Sequence, residues 1–167
     1  SLYEAAREVA VLNSIESALG WDQETYMPDK AIETRATQLS WLSTRAHELA
    51  TGKRMDKLIS AAEKEKPRDV KNAANLREMR RQFERSRCLP SKLVAEESLA
   101  TSRGKAAWAE ARKRSDFAAF APHLEKLLTI ARKKADLWGW KDEPYDALLE
   151  GYERGASTRE IAVVFDR

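Results

Sequence analysis

The chain has 167 residues, of which 43% are hydrophobic and 34% charged, and Lys+Arg 30 against Asp+Glu 27 leave a net charge of +3. Such a balance excludes wholesale disorder, which needs fewer apolar residues and a larger net charge. Six Gly and five Pro leave little turn material for an all-β sandwich, and the single cysteine, Cys88, excludes an intrachain disulfide or a Cys-rich zinc site.

Val9, Leu12, Ile15 and Leu19 recur at helical spacing and predict a first helix from Leu2 to Leu19 with Gly20 as its stop. Residues Trp21 to Met27 break the pattern before Pro28, which biases Met27 away from helix and predicts a turn. Asp29 is then expected to cap a long helix to Ala50, closed by Thr51-Gly52, with the stripe Ile32, Ala36, Leu39, Leu42, Ala46 and Leu49. A shorter helix carrying Met55, Leu58, Ile59 and Ala62 closes over Lys64 to Pro67. From Arg68 to Arg87 a further helix shows Ala73, Leu76, Met79 and Phe83.

Pro90 fits the first turn of a helix running to Arg114, and Ser98, Thr101, Ser102 and Gly104 predict a bend or break near Gly104. Ser115 is expected to cap a segment from Asp116 to Trp138, with Phe117, Phe120, Leu124, Leu127, Leu128 and Ala131 as its apolar set and Pro122 in an early turn. A loop from Gly139 to Pro144 leads to a short helix with Tyr145, Leu148 and Leu149. Ser157-Thr158-Arg159-Glu160 reads as a capping box that opens one more amphipathic helix through Ile161, Val164 and Phe165. The expected fold class is all-α: an array of long antiparallel helices, one helical region over residues 1–167.

Signals of chemistry are few. His47-Glu48 begins like H-E-x-x-H, but Thr51 stands where the second histidine ligand belongs and Gly52 follows it. His123 has no ligand-spaced partner, since Phe120 precedes it by three and Leu127 follows it by four. A plain surface or core role is the reading for both histidines. Gly104-Lys105 lacks the rest of a phosphate loop, with Leu99 at the first glycine and Ala106 at the Ser/Thr. Cys88 lies beside Arg85 and Arg87 without a histidine base near in sequence, so a structural cysteine is favoured.

Arg77, Arg81 and Arg85 repeat every fourth residue, but Glu78 and Glu84 interrupt them and no aromatic residue is interleaved for base stacking. A solvated, ion-paired face is therefore expected and not a nucleic-acid surface. No apolar run reaches the length of a membrane span and no basic-apolar leader opens the chain, so no membrane association and a cytoplasmic setting are expected. The rings Trp21 with Tyr26, and Trp138 with Trp140 near Tyr145, are expected to lock helix junctions, with a peptide-lining groove as the alternative.

The stretch Trp21-Asp22-Gln23-Glu24-Thr25-Tyr26-Met27-Pro28 resembles the W-D-x-x-x-x-M-P signature near the N-terminus of carboxypeptidase Taq family enzymes. Arg35-Ala36-Thr37-Gln38-Leu39-Ser40, His47-Glu48, Leu89 to Val94, Ala107-Trp108, Ala111 to Lys113, Asp116-Phe117, Phe120 to Pro122, Tyr145 to Leu149, Tyr152-Glu153 and Gly155 continue the resemblance in order. It implies the leading helices of an all-α metallocarboxypeptidase that removes single residues from peptide C-termini and works as a homodimer. It also implies a zinc or cobalt ion on an H-E-x-x-H helix plus a downstream glutamate, with the motif's glutamate as general base. None of that metal set falls within residues 1–167, so this chain alone is expected to hold no metal and to be inactive without the remaining C-terminal catalytic region. Trp21, Asp22, Met27 and Pro28 are expected to shape the peptide groove, with Asp22 in a capping or pairing role. A stand-alone helical module that binds a protein or peptide is the alternative.

Overall fold

The computed structural model describes residues 1–65 and 69–166. Eight α-helices and no strand are present among the described residues: α1 Leu2–Thr25, α2 Ile32–Thr51, α3 Lys53–Lys64, α4 Val70–Arg87, α5 Ser91–Arg114, α6 Phe117–Trp138, α7 Pro144–Leu149 and α8 Thr158–Phe165. A 3-10 turn, Asp29–Ala31, leads into α2.

The four longest helices lie side by side in the order α1, α2, α5, α6. Each neighbouring pair is antiparallel, as the contacts show: Glu16 to Ser43 and Asp22 to Arg35, then Glu33 to Arg103 and Ser40 to Ala95, then Glu97 to Lys134 and Gly104 against Leu127. Helices α3 and α4 close the end where α1 begins and α2 ends. There Ala5, Met55, Ile59 and Phe83 form a buried cluster, with Leu2, Val9, Leu58 and Leu76 packed on it.

Several local expectations shift. Helix α1 does not stop at Gly20 but continues to Thr25, because Gly20 keeps helical backbone and a turn closes only where Tyr26 and Met27 both donate to the Asp22 carbonyl. Asp29 does not cap α2; it sits in the 3-10 turn, and Ala31 precedes α2 without a side-chain cap. Asp69 caps α4 by accepting from the Asn72 amide, while the expected closure over Lys66-Pro67 and the start at Arg68 lie outside the described residues. Pro90 precedes α5 in extended conformation, one residue before its first turn.

Helix α5 runs unbroken through Gly104, which is buried because α6 crosses there; a Cβ on it would stand 3.3 Å from Leu127 Cδ1. Glycine at that position serves close approach, not a bend. Asp116, not Ser115, caps α6, and Ser115 is the left-handed residue (φ 52) that ends α5. Pro122 lies within an uninterrupted α6, and the capping box at Ser157 and Glu160 forms as expected.

The core matches the predicted stripe best in α2, where Ala36, Leu39, Leu42 and Ala46 are all buried. In α6 the buried residues are Ile130 and Ala135, outside the predicted set, while Phe117 and Leu128 face solvent.

Candidate functional site

The W-D-x-x-x-x-M-P stretch straddles the hairpin between α1 and α2. Trp21 and Asp22 stand on the last turn of α1, and Met27 and Pro28 lie in the connection. Arg35, on the first turn of α2, reaches back across the hairpin. Its Nη2 donates to Asp22 Oδ2 at 2.6 Å, its Nη1 donates to the Leu19 carbonyl, and its Nε donates to Gln38 Oε1 at 3.1 Å. With only 12% of its side chain exposed, Arg35 acts as a clamp that ties the end of α1 to the start of α2. Asp22 thus pairs with a guanidinium and, through its backbone carbonyl, receives the Tyr26 and Met27 amides at 3.0 and 2.9 Å.

The Trp21 and Tyr26 rings meet edge-to-face with centroids 5.5 Å apart, yet they are 62% and 76% exposed. They do not lock a helix junction, contrary to the expectation for this pair; they stand outside it.

Beside the clamp, a cleft of about 330 Å³ opens between α1, α2 and α5, lined among others by Glu16, Gln23, Ser43, Ser98, Ser102 and Lys105. Its polar groups are mutually satisfied. Gln23 Nε2 donates to the Ser102 carbonyl at 3.1 Å, and Ser102 Oγ returns a hydrogen bond to Gln23 Oε1 at 2.9 Å. Ser43 Oγ contacts both Glu16 and Ser98, and Ser40 Oγ donates to the Ala95 carbonyl at 3.1 Å. Lys105 pairs with Glu24, and Arg103 grips Glu33 with Nη2 at 2.6 Å, so the outer edge of the cleft is stitched by charge. That pairing holds the Glu33 carboxyl below its ordinary range, the Arg103 hydrogen bond being the main cause. The small polar residues of α5, which suggest a weakened helix in the sequence, are the means by which α5 packs closely on α1 and α2.

The other sequence candidates have structural partners. His47 Nε2 donates to the Leu89 carbonyl at 2.9 Å, tying α2 to the turn between α4 and α5, and Thr51 Oγ1 donates to the His47 carbonyl. Half-buried His123 sits on α6. Among the described residues no three His, Cys, Asp or Glu side chains group as metal ligands. A divalent metal of the H-E-x-x-H kind does not fit the donors present: one histidine is bound to a backbone carbonyl and the other stands on a different helix. Cys88 is exposed at the end of α4, with Sγ 3.2 Å from the Glu84 carbonyl.

The arginine face of α4 turns partly inward. Arg81 pairs with Glu78 and reaches Glu150 at 3.4 Å, while Arg85 Nη2 donates to the Ala147 carbonyl at 2.6 Å. The Arg85 guanidinium also lies 3.7 Å from the Trp138 ring centre, and Trp138 Nε1 donates to the Arg85 carbonyl at 3.0 Å. Burial pushes the Arg85 pKa down from its ordinary value. Trp138 therefore locks α6 onto α4 as expected, whereas Trp140 and Tyr145 stay about half exposed. No helix among the described residues is long and apolar enough to cross a membrane.

Among the described residues the chain is an antiparallel array of helices whose first hairpin is clamped by Arg35 and Asp22. Comparison with known proteins places it: the family model for Carboxypeptidase Taq (M32) metallopeptidase matches residues 1–167, and the chain belongs to that family. It is 32% identical to Thermostable carboxypeptidase 1 of Pyrococcus furiosus, over 96% of this chain and 32% of that protein. It is 34% identical to Thermostable carboxypeptidase 1 of Thermus thermophilus, over 99% of this chain and 35% of that protein. A crystal structure titled BsuCP superposes with a TM-score of 0.94 at 26% identity, covering 99% of this chain and 33% of that one. The chain thus spans about a third of the length of the curated relatives it matches.

Proposed function

We propose that this chain is the N-terminal helical wall of a metal-dependent carboxypeptidase that removes single residues from the C-termini of peptides. The observation that carries this reading is the family match across residues 1–167 by a chain only a third as long as its relatives. In the whole protein a divalent metal, zinc or cobalt, would polarise the scissile carbonyl and activate water, and residues outside this chain would hold it.

The part played here is confinement. Arg35 and Asp22 fix the hairpin; Trp21, Met27 and Pro28 then form its rim, and the rim with the α1–α2–α5 cleft borders the peptide groove. Rigid walls of this kind raise rate by holding a peptide end in a reactive pose and excluding water. The chain by itself is inactive, and the complete protein acts as a homodimer in the cytoplasm.

The test is to read the coding sequence beyond Arg167 and assay its complete product on N-blocked dipeptides and longer peptides. An H-E-x-x-H helix with chelator-sensitive release of single C-terminal residues supports the reading. A product with no such activity, or a stop codon close behind Arg167, overturns it.

A further inference from the structure

We draw no further inference here: the strongest candidate, the pocket at the α5–α6 turn lined by Trp108, Arg112, Phe117 and Phe120, is a largely exposed aromatic face, and nothing in the structure shows what covers it.

Discussion

Replacing Arg35 by alanine removes the clamp on the α1–α2 hairpin. The side chain is 12% exposed and donates to both Asp22 and the Leu19 carbonyl. Hydrogen bonds to charged groups contribute about 1.5–3 kcal/mol each when buried. Asp22 is 36% exposed, so water recovers part of its loss. The expected net destabilisation is about 2–3 kcal/mol, which lowers the melting midpoint by about 4–12 °C at this chain length. Asp22→Asn, which keeps an acceptor but removes the charge, should cost about 1 kcal/mol. A double-mutant cycle between Arg35→Ala and Asp22→Ala, followed by urea denaturation, should show a coupling of about 1–2 kcal/mol. A single-variant loss within about 0.5 kcal/mol, or no coupling, would refute the clamp as the device that holds the hairpin.

Gly20 lies inside α1 and a Cβ on it would meet nothing within 4 Å, so Gly20→Ala should raise stability by about 0.5–1 kcal/mol in denaturant titration. Gly104 is different: α6 approaches so closely that Gly104→Val should destabilise by about 1–3 kcal/mol, read as a lower urea midpoint. Asp146 accepts from both the Thr158 hydroxyl and its amide, which hold the carboxyl below its ordinary value. Because the folded pKa is the lower one, this tie between α7 and α8 is fully present above the ordinary carboxylate range and is lost as pH falls through the folded value. Proton NMR of the Thr158 amide should show a titration whose midpoint lies below the ordinary aspartate value of about 3.9, and a midpoint at or above that value would contradict the tie.

The helical fold is legible because long segments keep one period and end in recognisable stops. Helix α2 shows this best, with its buried stripe and its end at Thr51. The errors fall where tertiary contacts override local chemistry. Gly20 looks like a stop, but the Asp22 carbonyl moves the closure to Tyr26 and Met27, and Arg35 braces it from the next helix. Ser98, Thr101, Ser102 and Gly104 look like a weak point in α5, yet they let helices approach and bond across the cleft. Arg35 and Gln23 fall within the family-like segments but receive no role from the sequence, because their partners lie 13 and 79 residues away. Trp21 and Tyr26 are misread as junction locks because spacing places rings near a turn but does not say which side they face.

The most direct test is metal retention, measured by elemental analysis after exhaustive dialysis of two proteins, this chain and the product of its complete reading frame. We expect the complete product to keep one zinc or cobalt ion per chain and to release C-terminal residues, and the 167-residue chain to keep none and to release nothing. Stoichiometric metal and peptidase activity in the 167-residue chain alone would contradict a wall that borders chemistry supplied elsewhere.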